Sequence, residues 1–463
     1  MDKLKLLIKE SKLPKSILQG IAGVNKPELI PLYFDLFNKP SLKMSIANLW
    51  LLLKVYKEDS LKKEFHKILS SENGPKINIV AQLISFYLRD AKLIEALKNS
   101  LLQIKDVKAL GSGLSALSTV NPDDHKDIFL KNLNHQKIDI RIVAINCLGQ
   151  CESVNLFKTM QSTLQFKDPK VRIAALLALN KAKHEEAPKN LGEYFKSSIL
   201  ASNTDERRSA LSVVSSFVNR ENSESVLPVL NELLTQYGRE EGLILAKAVY
   251  RLIPVEKSKS LIRKLGFVTD WHVVGSFPSG VATTVEKENG IDVVFQPEKK
   301  VDLNEKYLAK YNSHRTRHGS KEVLEKEIGW VKASVDNEDG ILYMAKAGRN
   351  ELLLPARQGV SYAYAEINVP KRTAADLKMY VGVTAKQKVW INGKLLSFDE
   401  FKLGRNQKYV TKTSKVNLQP GKNKILMKIE SNDGGWVRDV PSTRFFSFLL
   451  LDSKGKIVKW SQP

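Results

Sequence analysis

The apolar residues of this chain change their spacing near residue 268. Before that point they recur at helical intervals, and after it come WHVVGSFP at 271–278 and alternating segments such as YAYAEINV at 362–369. The two periods suit different backbones, because a helix repeats every ~3.6 residues and a strand every ~2 residues. The sequence therefore predicts a helical domain at 1–266 and an all-β domain at 267–463.

Length and charge restrict the class of protein. With 463 residues and 43% hydrophobic content, the chain can bury a core in each of two domains. A net charge of +23 suits an acidic partner such as nucleic acid, an anionic polysaccharide or a membrane surface, although it also serves solubility. The excess is spread over both halves, which weakens the nucleic-acid interpretation.

Three apolar runs in the helical half share one register. Each begins at an arginine and continues with an alanine three residues later, an aliphatic residue at plus four and another at plus seven, at spacings typical of paired-helix repeats. The members are Arg141, Ala144, Ile145 and Leu148; Arg172, Ala175, Leu176 and Leu179; and Arg207, Ala210, Leu211 and Val214. Small residues at a helix crossing allow close packing, so we expect the alanines to be buried between stacked helices. Gly113 and Gly242 continue the register one repeat earlier and later.

These runs resemble HEAT repeats, whose second helix often opens with a D-x-x-V-R-x-x-A-like segment, here DPKVRIAALLAL at 168–179. The copies DIRIVAINCL and DERRSALSVV are looser, and residues 1–100 match by helical periodicity alone. The resemblance implies a HEAT-like α-solenoid that binds another protein or acts as a spacer. The three arginines could line a ligand groove or form ion pairs within or between repeats, and their regular placement favours ion pairs. Cys147 and Cys151 are expected to be buried free thiols, because a disulfide between positions i and i+4 of a helix is too long.

The β half carries turn signals. In KVWINGKLL at 388–396, Asn392 and Gly393 predict a two-residue type I′ turn, and Pro420-Gly421 marks a second turn. Together with the opening WHVVGSFP and the closing VNLQPGKNKILMKI at 416–429, these segments resemble the galactose-binding-like β-sandwiches of large extracytoplasmic bacterial HEAT-repeat proteins. The resemblance implies a jelly-roll sandwich that binds carbohydrate or packs on the solenoid. It also implies a periplasmic or secreted location if the chain is a fragment, since no signal peptide is evident in this sequence.

Candidate ligand contacts lie in two polar loops of the β half. Trp436, Asp433 and Arg438 occur in NDGGWVRD, where the glycines imply a loop that could expose the indole to a sugar. Arg315 and Arg317, in NSHRTRHG, could bind a sulfate or phosphate group, although a solvated loop is the simpler interpretation. Trp271, Trp330 and Trp390 are expected to be buried strand anchors.

No catalytic motif, metal-binding pattern or cofactor signature is apparent, and no apolar stretch is long enough to cross a membrane. The sequence thus favours a non-enzymatic scaffold whose solenoid binds another protein and whose sandwich binds a glycan or packs on the solenoid. A basic HEAT-repeat scaffold that binds nucleic acid is the alternative. An accessory fragment of a larger enzyme is a third hypothesis.

Overall fold

The computed structural model describes residues 26–38, 44–181, 186–277, 290–312, 323–344, 358–382, 385–401, 409–432 and 445–462. The chain forms two compact units, Met1–Phe217 and Val218–Pro463. In the described ranges, every strand follows the long helices, and helix gives way to strand between Lys264 and Asp270. The second unit therefore holds three long helices as well as the strands. The domain assignment of 1–266 and 267–463 stays a prediction.

The first unit is a series of helix pairs, as predicted for an α-solenoid. Its helices are α1 (Ile30–Phe37), α2 (Ile46–Leu53), α3 (Glu58–Leu69), α4 (Gly74–Tyr87), α5 (Ala91–Leu101), α6 (Val107–Leu117), α7 (Lys126–Asn132), α8 (Ile138–Leu148), α9 (Leu156–Thr163), α10 (Pro169–Leu179), α11 (Leu191–Ile199) and α12 (Thr204–Phe217). The second unit begins with α13 (Ser223–Gln236), α14 (Arg239–Tyr250) and α15 (Val255–Lys264).

Side-chain caps fix where several helices begin. The carboxylate of Asp168 accepts a hydrogen bond from the Lys170 backbone N–H at 2.7 Å, with Pro169 as the first helical residue. At the start of α6 the Asp106 carboxylate accepts a hydrogen bond from the Ala109 backbone N–H at 2.8 Å. At the start of α9 the Asn155 side-chain oxygen accepts one from the Lys158 backbone N–H, also at 2.8 Å. Such caps satisfy backbone donors that have no partner inside the helix.

The small residues of the repeat register are buried, as predicted. Ala144, Ala175 and Ala210 have no exposed surface. At the equivalent position of α6, a Cβ on Gly113 would lie 2.4 Å from a Leu101 side-chain carbon. Gly242 of α14 is equally restricted by Leu234, also at 2.4 Å. Close packing at this point of each pair explains why only alanine or glycine occurs there.

The register arginines close the turn inside each helix pair. Arg141, Arg172 and Arg207 each donate to the backbone carbonyl six residues earlier, at 2.5, 2.5 and 2.7 Å. Arg172 also forms a two-pronged ion pair with Glu206 of the next pair, at 2.6 Å for each hydrogen bond. The ion-pair interpretation is confirmed for Arg172. The carbonyl contact that all three arginines make was not predicted from the sequence.

The two cysteines are buried free thiols, as expected. Burial raises the pKa of the Cys147 thiol to about 12 and that of Cys151 to about 11. Both groups are therefore protonated and poorly nucleophilic at neutral pH.

The strands form a sandwich with an added outer layer. They are β1 (Asp270–Phe277), β2 (Lys306–Asn312), β3 (Val323–Gly329), β4 (Val331–Ser334), β5 (Ile341–Tyr343), β6 (Gln358–Val369), β7 (Thr373–Gly382), β8 (Ala385–Ile391), β9 (Lys394–Leu395), β10 (Asp399–Phe401), β11 (Tyr409–Leu418), β12 (Gly421–Asn432), β13 (Phe445–Ser447) and β14 (Leu449–Leu451). A short helix, α16 (Gln296–Lys299), precedes β2.

Two antiparallel sheets pack face to face. The first sheet has the order β4-β1-β6-β12-β8-β9, and the second has the order β10-β11-β7-β13-β5 with β14 also paired to β7. Trp271 of the first sheet meets Phe446 of the second edge to face, with ring centroids 4.9 Å apart. The chain crosses between sheets at β6–β7, β7–β8 and β11–β12, so the antiparallel sandwich predicted from the sequence is present.

Both predicted turns are present. Asn392 and Gly393 have φ values of 51° and 80°, as a type I′ turn requires, and they join β8 to β9. Gly421 has a φ of 79° at the turn from β11 into β12. The Asn392-Gly393 turn sets the register of the β8–β9 pair, whereas the turn at Gly421 lies where the chain crosses from one sheet to the other.

A third layer covers part of the first sheet's outer face, the face turned away from the second sheet. Phe295, Tyr307, Ile328 and Trp330 pack over outward-facing β1 and β6 residues such as Tyr362. Trp271 and Trp330 are buried as expected, but Trp390 is only half-buried. The prediction was wrong for Trp390 because this residue lies on the outer face of the sheet rather than in the sandwich core.

Candidate binding surfaces

All five predicted ligand contacts fall outside the described residues. They are Asp433, Trp436 and Arg438 in one segment and Arg315 and Arg317 in another. Their roles stay predictions. The described residues present two other surfaces.

The first surface runs along the second helix of each pair. In the first unit α4 packs on α6, α6 on α8, α8 on α10, and α10 on α12. The outward residues of these helices lie four positions apart along each helix and are half-buried or exposed. We call them the second-helix face: Asn78 and Gln82, Gly111 and Ser115, Ile142 and Asn146, Ile173 and Leu177, and Arg208 and Ser212.

The second-helix face has a low net charge, because the exposed charged residues one turn before its members are two lysines and two aspartates, Lys108, Lys170, Asp139 and Asp205. Arg208 is its one charged member, although the chain as a whole carries a net charge of +23. Its apolar members are Ile142, Ile173 and Leu177, and half of Leu177 is exposed. The face continues along α4 to Phe86, which is 65% exposed. The periodic spacing that identified the repeats could have located these positions, since they lie one and five residues after the register arginines.

The second surface is on the outer face of the first sheet, beside the third layer. Strand pairing places His272 of β1 opposite Tyr364 of β6, Tyr364 opposite Leu426 of β12, Leu426 opposite Trp390 of β8, and Trp390 opposite Leu395 of β9. We call these five residues the outer-face row. Leu395 is 51% exposed, and His272, Leu426 and Trp390 are half-buried.

Charged side chains surround the outer-face row. The Glu366 carboxylate accepts a hydrogen bond from the Tyr364 hydroxyl at 2.6 Å and pairs with Lys422 at 2.8 Å. Burial tends to raise the pKa of Glu366, but the hydrogen bonds from Lys422 and Tyr364 outweigh it and hold that pKa below its usual value. Lys332 and Lys424 lie on the same face, and within the described ranges neither has a carboxylate at ion-pair distance.

A buried ion pair fastens the third layer to the sheet. The Lys428 ammonium on β12 has no exposed surface and donates to the Glu298 carboxylate at 2.7 Å and to the Val293 carbonyl at 2.5 Å. The Tyr362 hydroxyl donates to the same carboxylate at 2.6 Å. Burial lowers the pKa of Lys428, since the ammonium is removed from water, while Glu298 opposes that shift. Each polar group in this network has a partner, so its arrangement is that of a structural clamp.

Polar contacts also join the helices of the second unit to its sheets. Lys247 and Arg251 of α14 pair with Asp339 and Glu338 at 2.8 and 2.6 Å. Arg263 of α15 pairs with the Asp270 carboxylate at the start of β1. These contacts explain why the last three helices belong to the same compact unit as the strands.

Among the residues that the structure describes, no group of three or more His, Cys, Asp or Glu side chains is placed to hold a metal ion. Of the helices in the described ranges, none is long and apolar enough to cross a membrane.

Comparison with known proteins supports the repeats. Residues 127–215 match the family model of HEAT repeats, a segment that covers nearly all of α7 to α12. No curated protein matches the sequence.

Several solved structures are similar at low identity. Importin beta is 12% identical with a TM-score of 0.38, over 57% of this chain and 45% of its own. Escherichia coli YibA is 14% identical with a TM-score of 0.36, over 54% of this chain and 95% of its own. Kap121p is 13% identical with a TM-score of 0.35, over 56% of this chain and 32% of its own. The likeness to HEAT repeats rests on the sequence match at residues 127–215.

Proposed function

We propose that this protein is a non-enzymatic scaffold whose second-helix face binds another protein. The observation that carries the proposal is the continuity of that face over five stacked helices, together with its low net charge. A face with Ile142, Ile173 and Leu177 between small polar residues suits a protein surface, which brings its own apolar side chains. HEAT repeats at 127–215 are consistent with this role.

The nucleic-acid alternative is less favoured by the same face. Binding to a phosphate backbone depends on Lys and Arg side chains that neutralise successive phosphates. Only Arg208 provides such a charge among the ten residues of the second-helix face.

A matched pair of variants tests the proposal. Leu177→Glu places a charge at the centre of the face, whereas Leu102→Glu does so at a leucine that is 59% exposed and lies just after α5. Proteins cross-linked to the full chain in extract from its source cells are identified by mass spectrometry. We expect one or more partners to be lost with Leu177→Glu and retained with Leu102→Glu. Equal recovery with both variants would overturn the proposal, and salt-sensitive binding of duplex DNA without any protein partner would favour the alternative.

We also propose that the sandwich binds a glycan, as the resemblance to galactose-binding-like modules implies. Trp436 and Arg438 are the predicted contacts, and Trp436→Ala is expected to abolish retention on a polysaccharide panel without lowering the melting temperature. Full retention by that variant would remove Trp436 from the site.

A further inference from the structure

The outer-face row presents an indole where the sequence suggested a core residue. Trp390 lies on the outer face of β8, with Leu426 and Leu395 directly beside it on the neighbouring strands. The third layer packs over β1 and β6 side chains and against Leu426 of β12, so the more accessible end of the row is Trp390 of β8 and Leu395 of β9. Part of the Trp390 indole is therefore open to solvent, beside two aliphatic side chains on the neighbouring strands.

Polar groups stand at fixed positions around this surface. Glu366 is held by Tyr364 and Lys422 and keeps further lone pairs that can accept hydrogen bonds. The ammonium groups of Lys332 and Lys424 have no carboxylate at ion-pair distance within the described ranges. Lys332 is at the β4 end of this face, four strands from Trp390, and Lys424 lies opposite Glu366 on the neighbouring strand. Beside the row, the three lysines Lys332, Lys422 and Lys424 outnumber the one carboxylate of Glu366, so this part of the face carries a net positive charge.

We propose that the outer-face row binds an acidic polysaccharide, with one sugar ring stacked on Trp390 and sugar carboxylates paired with Lys424 and Lys332. The apolar C–H face of a sugar ring matches the indole, and its hydroxyls match Glu366. Neighbouring strands are ~4.8 Å apart, so Lys332 on β4 and Trp390 on β8, four strands apart, are separated by roughly 19 Å, a distance that several sugar residues would cover. This inference rests on the proposal that the sandwich binds a glycan, but it assigns the site to other residues than Trp436.

A nucleic-acid ligand fits the row less well. Single-stranded nucleic acid is held by successive aromatic rings that stack on consecutive bases. In the outer-face row Tyr364 is buried, so Trp390 is the indole or phenol ring with an accessible face. Charge with a single stacking surface is more suited to a sugar polymer than to a run of bases.

The test uses the full chain and two polymers with one backbone. Polygalacturonate carries a carboxylate on each sugar, and its fully methyl-esterified form is neutral. Binding is measured by affinity gel electrophoresis and by calorimetry for the wild type and for Trp390→Ala, Trp390→Phe, Lys424→Glu and Trp436→Ala. Lys415→Glu is the matched control, since Lys415 is exposed on β11 of the other sheet. A thermal melt of each variant accompanies the binding data.

We expect polygalacturonate to bind the wild type more tightly than the neutral polymer does. Trp390→Ala should weaken binding about tenfold or more, Trp390→Phe less, and Lys424→Glu about threefold, with Lys415→Glu near wild type. If Trp390→Ala lowers the melting temperature, its loss of binding could reflect unfolding. The test is then whether Lys424→Glu weakens binding more than Lys415→Glu does, because both lysines are exposed and neither substitution should disturb the fold.

Several results would overturn the inference. Equal weakening by Lys424→Glu and Lys415→Glu would mean diffuse charge attraction, and equal binding of the neutral polymer would remove the acidic specificity. If binding is lost with Trp436→Ala but not with Trp390→Ala or Lys424→Glu, the proposal that the sandwich binds a glycan stands, but the outer-face row is not its binding site. Binding of an oligothymidine in place of polygalacturonate would make the ligand a nucleic acid. If the wild type binds neither polymer nor any glycan of the panel, glycan binding by the sandwich fails together with this site.

Discussion

The second-helix face and the outer-face row are both strips of accessible side chains, but they are assembled differently. The first repeats one position of a helix pair at intervals of about 31 to 35 residues, and each helix packs on the next one of its kind. The second joins β1, β6, β12 and β8, which are far apart in sequence and adjacent only through the sheet order. A surface made of repeated local units can be read from periodicity, whereas one made by strand order cannot. Their chemistry differs too, since the helical face has a low net charge and the sheet face carries lysines.

The largest expected effect is at the clamp in the β region. Lys428→Ala leaves the Glu298 carboxylate largely buried without its cation, and we expect the free energy of unfolding to fall by about 3–5 kcal/mol. Lys388→Ala is the control, because Lys388 and its partner Asp292 are both partly exposed and such pairs contribute about 0–1 kcal/mol. Urea unfolding followed by tryptophan fluorescence measures both. Similar losses for the two variants would show that the third layer does not depend on the clamp.

The Arg172–Glu206 ion pair in the helical region should contribute somewhat less to the free energy of unfolding than the Lys428–Glu298 pair does. Arg172→Ala leaves Glu206, which is 1% exposed, without its guanidinium, and it also removes the hydrogen bond to the Phe166 carbonyl. Because Arg172 itself is partly exposed, we expect a loss of about 3 kcal/mol, measured by urea unfolding followed by circular dichroism at 222 nm. Lys98→Ala, at an exposed pair with Glu95, should change stability by less than about 0.5 kcal/mol. A loss at Arg172 no greater than at Lys98 would argue against a structural role for the register arginines.

A smaller effect tests the packing of the repeats. Ala175→Leu adds three carbons at a fully buried position of α10, and we expect overpacking to cost about 1–3 kcal/mol. Leu177 lies two residues later on the second-helix face, and the free energy of unfolding of Leu177→Ala should be within about 0.5 kcal/mol of the wild-type value. Thermal melts of both variants suffice. An unchanged melting temperature for Ala175→Leu would contradict the repeat register.

The smallest effect concerns pH dependence at the start of β1. Burial alone would raise the pKa of Asp270, but hydrogen bonds from Arg263, Thr269 and Ser334 outweigh it and lower the pKa below its ordinary value of 3.8. A lowered pKa in the folded state means that this group stabilises the fold above pH 3.8, and that the contribution is lost as the pH falls through the folded-state pKa. We expect Asp270→Asn to reduce the acid-induced loss of stability of the second unit, measured by urea unfolding between pH 5 and pH 2 at intervals of roughly 0.5 unit. A pH profile identical to the wild type would assign that loss to other carboxylates.

Sequence patterns predicted the helical repeats in detail. The burial of Ala144, Ala175 and Ala210 and the register position of Gly113 follow from local spacing, because a helix sets which residues share a face within four positions. The Asn392-Gly393 turn was likewise predictable, since only a few residue pairs favour positive φ at both positions. The contact of each register arginine with a carbonyl six residues earlier was missed, because the turn that brings them together has no periodic signature.

The sequence by itself determined the two classes of structure, the repeat register and the turns, because each depends on residues close together in the chain. Only the tertiary structure decided that Trp390 faces outward, that Lys428 is buried against Glu298, and that the last three helices join the strands in one compact unit. In a strand, every second residue faces the same side, and alternation alone does not tell which side another layer will cover. Here the residues of the third layer lie between β1 and β4 in the sequence. They cover only part of the sheet's outer face, so that face is partly core and partly surface.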